Sequence, residues 1–467
     1  MTDTPVHFRL KAVALAALCF HAFFAMTDFG GQLKPEYGAA VALLLMLAAG
    51  GDVWRQLAKL PVVWTLAAFI LFVIAHAGYA TSVYPSIGYT RQLSAAAELV
   101  RLGVFTCVIG WWLSLMPRAV PVLFGLMIAG LLTAIAVRMP WALLPEIWGG
   151  QFRPKFGMPE NLGGQLAALS GWLALCLLLK VWNTHGRFRR RRGLMALCLL
   201  AYVGSLCALL FSQSRGAWLA FAATLPVVVL GVWYTRKRDA AVPWLPLVSV
   251  ALISLVLVLA ARDIVAKRFA GAEQLLPDMT TTDQPAAPVA GVGKPKPVAR
   301  DRVALPAPAA RPRPARDTVN NTAISQRIAL YEFGMARWRE HPLLGWGLRS
   351  TSALIAGSGL DMGGQHHGHL HSAYLDALVG MGVVGTFLLA LLLALLLREL
   401  VLAWRSGVIS NATFWMVAGC IGIVLIANSF DSLLWRYDYA RAPLEIVFGC
   451  CVAYGLLERR PSSPVQR

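Results

Sequence analysis

Twelve apolar runs fill most of this chain, and nothing else in the sequence limits its fold so strongly. They lie at roughly 12–29, 38–51, 60–79, 96–116, 119–137, 162–182, 194–211, 216–234, 243–261, 373–397, 413–429 and 442–457. A helix needs about 20 predominantly apolar residues to cross the hydrocarbon of a bilayer. Inside it, each spanning segment must satisfy its own backbone hydrogen bonds, as a helix does. The runs therefore predict an all-α polytopic membrane protein with about 12 transmembrane helices. Composition agrees, since 58% of the residues are hydrophobic and only 14% are charged. Soluble domains carry about 25% charged residues, so a soluble enzyme of this size is excluded, as is general disorder. Arg9 and Lys11 precede the first run as they would in a signal peptide. No clear small-x-small cleavage site follows, so that run is expected to remain as an anchor.

Orientation follows from the basic residues in short loops, which stay on the cytoplasmic side. Arg187 with Arg189 to Arg192, and Arg236 with Lys237 and Arg238, flank the hairpin of the seventh and eighth runs. Both clusters are expected inside, which turns the tip at Ser212 to Arg215 outward and places both termini in the cytoplasm. Membrane anchoring explains the arginine cluster more simply than nucleic-acid binding does. The chain then divides into helices one to nine (1–261), a long outward loop (262–372), and helices ten to twelve with a cytoplasmic tail (373–467). All eight cysteines fall inside runs, so no disulfide is expected.

Within the loop, residues 277–316 hold nine prolines and almost no large apolar side chains. Such a stretch cannot bury enough surface to fold and reads as a disordered linker. Residues 322–340 instead show helical spacing, with Ile324, Ile328, Tyr331 and Met335 on one face and Thr322 or Ser325 able to cap the start. A second outward loop, 138–161, contains WALLPEIW, which reads as a short interfacial helix with Trp141 and Trp148 at headgroup depth. Glu98, Arg101, Asp376, Glu445 and His76 lie near the outward ends of runs, and none lies at mid-span. Intramembrane charge is costly and usually functional, so a site near the outer surface is expected rather than a path across the bilayer.

There is no phosphate-binding loop G-x-x-x-x-G-K-[ST], no H-E-x-x-H and no G-x-S-x-G. What stands out is QHHGHLHSAYLD at 365–376, with four of the nine histidines. Three readings compete: a transition-metal site on His367, His369 and His371, a tolerant polar loop, or one histidine acting as general base. For the last, His371 is favoured because it sits where the loop enters the tenth run. The second feature is outward arginine. Arg215 occupies a very short hairpin, FSQSRGAWLAF, and Arg327 sits on the amphipathic helix. Several guanidiniums facing one pocket would hold a phosphate or pyrophosphate, while snorkelling to the interface is the plainer role for each.

The segments SRGAWLAF at 214–221, QRIALYEFGMARWREHPLLGWG at 326–347 and HSAYLDALVGMGVVG at 371–385 resemble the O-antigen ligase and polymerase family of bacterial membrane glycosyltransferases. FGMPENLGGQLA at 156–167 is similar to a further element of that family. The resemblance implies a GT-C-type glycosyltransferase of the Gram-negative inner membrane, with its active site facing the periplasm. Its donor would be a glycan on undecaprenyl pyrophosphate, and its acceptor, for a ligase, a sugar hydroxyl of lipid A-core. His371 would be the general base, and Arg215 and Arg327 would bind the pyrophosphate. Arg153, Lys155, Asn161 and Asp431 would be further substrate-binding residues. The reaction would invert the anomeric centre, with no cofactor and no metal. The chain departs from the family in carrying Ser372 where His-Asn is common, and in its extra histidines and proline-rich insert.

Four functions are compatible with these features. The leading one is O-antigen ligase. A polymerase extending lipid-linked glycans and a protein O-oligosaccharyltransferase share its motifs. A lipid-linked glycan transporter is the alternative from another class, and should show deep intramembrane charge or internal repeats.

Overall fold

The computed structural model describes residues 5–27, 33–50, 52–85, 88–182, 188–235, 244–269, 316–358 and 367–460. The proline-rich 277–315, His366, Arg187 and the Arg236–Arg238 cluster lie outside these residues. Every regular element among the described residues is helical. In chain order they are α1 (Pro5–Phe24), α2 (Glu36–Ala48), α3 (Asp52–Leu57), α4 (Pro61–Val83), α5 (Tyr89–Leu115), α6 (Val120–Arg138), α7 (Leu144–Trp148), α8 (Glu160–Trp182) and α9 (Phe188–Phe211). They continue as α10 (Arg215–Thr235), α11 (Trp244–Ala260), α12 (Arg262–Phe269), α13 (Arg316–Glu340), α14 (Thr351–Gly357), α15 (Ala373–Arg405), α16 (Asn411–Ser429), α17 (Leu433–Arg436) and α18 (Asp438–Glu458).

Each of the twelve apolar runs carries one of these helices, and the chain is a multi-pass, all-α membrane protein. Among the described residues, eight helices are long and apolar enough to cross a bilayer, or nine if Pro246–Ala260 and Arg262–Phe269, bent by 64°, form one span. Length and apolarity therefore support eight or nine of the twelve expected crossings; α2, for example, has only 13 residues. All eight cysteines are free thiols on helices.

Without a hydrophobic driving force between helices in lipid, small residues that admit close backbone approach decide which helices pair. Such a contact joins α5 to α18. A Cβ on Gly110 would meet Val452 at 2.6 Å, and one on Gly449 would meet Ile109 at 2.9 Å. The central α8 packs against α6, α9, α10 and α16 and is buried along most of its length. Charged residues inside the bundle pair, Arg101 with Glu36 at 3.3 Å and Glu98 with both Arg349 and Arg441, and buried His21 Nε2 lies 3.3 Å from Glu445. His76 Nε2 approaches the Leu344 carbonyl at 2.6 Å.

One helix is broken on purpose. In α15, Gly382 adopts φ 61° and ψ −166°, a combination open essentially to glycine alone. The turn 342–347 inserts into the break and takes over its backbone hydrogen bonds. Trp346 N–H donates to Val379 O at 2.8 Å and Gly347 N–H to Gly380 O at 3.0 Å. On the other side of the break, Val383 N–H donates to Pro342 O at 2.8 Å and Val384 N–H to Leu343 O at 3.1 Å. The glycines at 345 and 382 are required by this close approach. A Cβ on Gly345 would stand 2.6 Å from Gly382 N, and one on Gly382 would stand 2.2 Å from Leu343 O.

The amphipathic helix starts earlier and is rolled differently from the sequence expectation. It begins at Arg316, so Thr322 and Ser325 lie inside it rather than at its cap. Its buried side carries Leu330 and Phe333, packed with Ile355, Leu370, Leu375 and Val379, whereas Ile328 is exposed. The reason is Gly334, where a Cβ would meet Leu370 and Leu375 at 2.7 and 2.8 Å. The missing side chain lets α13 roll down onto the residues around the histidine tract. The 138–161 loop contains the expected short helix; Trp141 is exposed, while Trp148 packs edge-on against Phe211 with ring centroids 4.9 Å apart.

Candidate functional site

The hairpin between α9 and α10 is held rigid before any substrate is considered. Ser212, Gln213 and Ser214 are buried. Gln213 has φ 49°, unusual for a residue with a side chain. The Ser212 hydroxyl donates to Leu209 O at 2.7 Å, and Ser214 Oγ accepts from Ala217 N–H at 3.4 Å near the start of α10. From outside the hairpin, Arg153 Nε donates to Ser212 O at 2.5 Å and Arg268 Nε donates to Gln213 O at 2.9 Å. Arg215, the first residue of α10, is thereby fixed at a cavity of about 210 Å³.

That cavity is lined by Arg153, Arg215, Arg268 and Arg327, with Asn161 and Asp431. Four guanidiniums and one carboxylate face a common space. Burial loosens the proton of Arg153; nearby Arg327 and Arg215 add to the effect, while Glu160 and Asp431 oppose it. Holding like charges together costs free energy, and an anion placed between them would recover it. Arg268 was not recognised from the sequence. It sits in α12, just after an apolar run and beside the proline-rich stretch, where its basic neighbours look like membrane anchors. Lys155 is exposed and does not line the cavity.

The histidines form the adjoining wall. Ser372 caps α15 by accepting from Leu375 N–H, and Asp376 in its first turn accepts from Leu370 N–H at 3.4 Å and the Thr351 hydroxyl at 2.9 Å. These bonds fix the loop entering the helix. His371 has φ 54°, and its carbonyl accepts from the Tyr331 hydroxyl at 3.0 Å. Tyr331 lies one helical turn after Arg327, so one face of α13 carries a cavity arginine and holds the histidine loop.

Asp431 joins the two parts. Its Oδ2 accepts from Asn161 Nδ2 at 2.6 Å, and Asn161 Oδ1 accepts from Arg153 Nη2 at 2.7 Å. Its Oδ1 lies 3.1 Å from His369 Nε2 and 3.7 Å from His371 Nδ1. Burial alone would raise the Asp431 pKa, but the His369 hydrogen bond and the closeness of His371 hold it well below the ordinary carboxylate range. His369 is pushed down to about 4 by burial, despite the opposing carboxylate. It is therefore neutral at pH 7, and its Nε2 also stands 3.1 Å from Arg436 Nη1. One ring nitrogen cannot both donate to Asp431 and accept from Arg436. The ionised carboxylate favours the tautomer that donates to Asp431. On the far side, His371 Nε2 is 3.3 Å from His367 Nδ1.

His369, His371 and Asp431 offer three donor atoms within 4.8 Å of one another, the one such grouping among the described residues. Two imidazoles and a carboxylate suit a transition metal, although the four cavity guanidiniums and Arg436 oppose a dication there. Of the residues singled out from the sequence, His371, Arg215, Arg327, Arg153, Asn161 and Asp431 converge, and Lys155 does not. The arrangement can bind a polyanion beside a pair of imidazoles that face a carboxylate.

No curated protein matches the chain. A family model described as O-antigen ligase matches residues 200–390, a segment with the Ser-Arg-Gly hairpin, α13, the turn at 342–347 and the histidine tract. Arg153, Asn161 and Asp431 lie outside the matched residues yet complete the same site. By that match the segment 200–390 is similar to the O-antigen ligase family.

Proposed function

We propose that this protein transfers a glycan from undecaprenyl pyrophosphate to a sugar hydroxyl of lipid A-core at the periplasmic face of the inner membrane. In this reading the bundle is a GT-C-type glycosyltransferase with both termini in the cytoplasm. The observation that carries the reading is the double role of Asp431. The same carboxylate that meets His369 and His371 is tied through Asn161 to the arginine cavity. A base and a pyrophosphate seat thus share one wall.

The step balances as a single displacement. The acceptor hydroxyl oxygen attacks the anomeric carbon and forms the new C–O bond. The bond from that carbon to the pyrophosphate oxygen breaks, and its electron pair leaves with undecaprenyl pyrophosphate. The hydroxyl proton passes to His371, whose imidazolium is stabilised by nearby Asp431. Attack opposite the leaving group inverts the anomeric centre. Arg215, Arg327 and Arg153 neutralise the charge that develops on the leaving group, with Arg268 beside them, and no metal is invoked. Preorganised donors of this kind are worth most where water is excluded.

The test uses the full-length protein in nanodiscs, undecaprenyl-pyrophosphate O-antigen and lipid A-core, with EDTA present. A glycan ladder on lipid A-core, abolished by His371→Ala and Arg215→Ala, is the expected result. Longer lipid-linked glycans with unmodified lipid A-core would instead make the protein a polymerase. Folded protein giving neither product would overturn glycosyl transfer to these acceptors and favour transport or a protein acceptor.

A further inference from the structure

The contact between His369 and Asp431 leads to a second cavity. His369, which meets Asp431 at the arginine cavity, also lines a separate cavity of about 340 Å³. Its charged lining consists of Arg91, Arg349, Arg436 and Arg441 against Glu98 and Asp376. The two carboxylates are already engaged. Glu98 Oε2 accepts from Arg349 at 2.5 Å and from Arg441 at 2.6 Å, and Asp376 accepts from Thr351 and from the Leu370 N–H. Two guanidiniums share one carboxylate, so the cavity keeps an excess of positive charge. Arg436 is held over the Tyr437 ring at 5.0 Å and brings that charge to His369 Nε2. Arg349 has φ 56°, a conformation that residues with side chains adopt at a cost. It is held there directly after the turn that fills the α15 break.

We propose that this second cavity seats the acceptor and selects a saccharide bearing a phosphate or carboxylate near the reacting hydroxyl. The proposal rests on the glycosyl-transfer reading above. An inverting displacement requires nucleophile and leaving group on opposite sides of the reacting carbon. The two cationic cavities are linked through His369, which lines the larger, and Asp431, which lines the smaller and lies 3.1 Å from it. If the smaller takes the leaving pyrophosphate, the larger is left for the other substrate. Guanidiniums recognise phosphate and carboxylate in bidentate fashion, so a neutral glycan would leave this charge unmet. A charged acceptor would also sit beside Arg436 and His369, whose ring lies 4.1 Å from that of His371, the proton acceptor.

The experiment compares three acceptors at saturating lipid-linked donor, using full-length protein in nanodiscs. They are native lipid A-core, the same material dephosphorylated with hydrofluoric acid, and the same material with its carboxylates amidated by carbodiimide. One treatment should lower kcat/KM for the acceptor by about tenfold or more, as losing a charge-assisted hydrogen bond does. Which treatment does so identifies the group. Arg436→Gln and the surface variant Arg91→Gln should lower kcat/KM on native acceptor and shrink the gap between native and treated material. Equal use of all three acceptors by wild-type protein would overturn the proposal while leaving glycosyl transfer intact. A gap of unchanged size in both variants would overturn the assignment to this cavity. No transfer to any acceptor by folded protein would mean that the underlying functional reading had failed.

Discussion

Asn161 donates from Nδ2 to Asp431 Oδ2 at 2.6 Å, joining the start of α8 to the loop after α16 across 270 positions of the chain. This bond is the middle link between the arginine cavity and the histidines. Replacing Asp431 by Asn keeps the shape but removes the charge that faces both imidazoles. Asp431→Asn is expected to lower kcat by about 10²–10⁴-fold, the range for impaired general-base catalysis, with a smaller change in donor KM. Single-turnover kinetics with a thermal melt as folding control checks this; an active variant would deny Asp431 its role.

His369 predicts a pH dependence of stability. In the unfolded chain it takes a proton near its ordinary 6.5, but in the folded protein only near 4. Between these values the unfolded state binds more protons, so stability falls as the pH drops from 6.5 towards 4. Above that window this residue adds no pH dependence. Asp431 acts below it, because its depressed pKa keeps it ionised down past 3.8. The loss across the window should be on the order of 3 kcal/mol. Melting temperatures at pH 7.5 and 4.5 should differ less for His369→Gln than for wild type, and equal differences would refute the assignment.

The break in α15 predicts a sharp contrast between glycines. Gly382→Ala forces a Cβ against Leu343 O in a backbone conformation that alanine rarely adopts. Its expected cost is at least about 1–3 kcal/mol, together with displacement of the 342–347 turn. Gly193→Ala, in α9 with open space around it, should be neutral or stabilise by up to about 1 kcal/mol. Parallel melts in detergent compare the two, and equal stability would show that the turn does not depend on the break.

At the opposite end of α15, fully buried Glu399 is paired with Arg459, which directly follows α18, and with half-exposed Arg398. Arg459→Met leaves that carboxylate with Arg398 alone. Breaking a buried pair from one side costs about 3–5 kcal/mol, while Arg459→Met with Glu399→Leu should recover much of the loss. A thermal-shift double-mutant cycle measures the coupling, and additive effects would show the pair to be unimportant.

Arg215→Lys and Arg327→Lys each preserve charge but lose the planar fork that binds phosphate through two hydrogen bonds. Each is expected to reduce kcat/KM for the lipid-linked donor by about tenfold or more, as for loss of a charged hydrogen bond. Titrating the donor against each purified variant checks this. Full activity in the lysine variants would reduce the arginines to point charges.

The elements were legible in the sequence because a spanning helix must be apolar along its whole length, whatever it packs against. The same local logic exposed Arg215, isolated in a tight polar hairpin, and His371 at the mouth of a helix. The face of α13 was read in part: Tyr331 and Met335 do pack against the buried cluster, but Ile328 is exposed, because apolar spacing alone does not reveal which side a glycine such as Gly334 lets down onto its neighbour. Lys155 looked equivalent to Arg153 two positions away, yet only Arg153 turns inward, to Ser212 and Asn161. Arg268 and Arg436 carried no signal, since a basic residue beside a membrane segment has an ordinary interfacial role. Local sequence thus determined the helices and individual reactive side chains. Tertiary structure alone decided that Arg153, Asn161, Asp431 and His369 form one connected chain of contacts, running from one cationic cavity to another. Hydrogen bonds and ion pairs between distant residues depend on how helices cross, and no short-range pattern encodes that crossing.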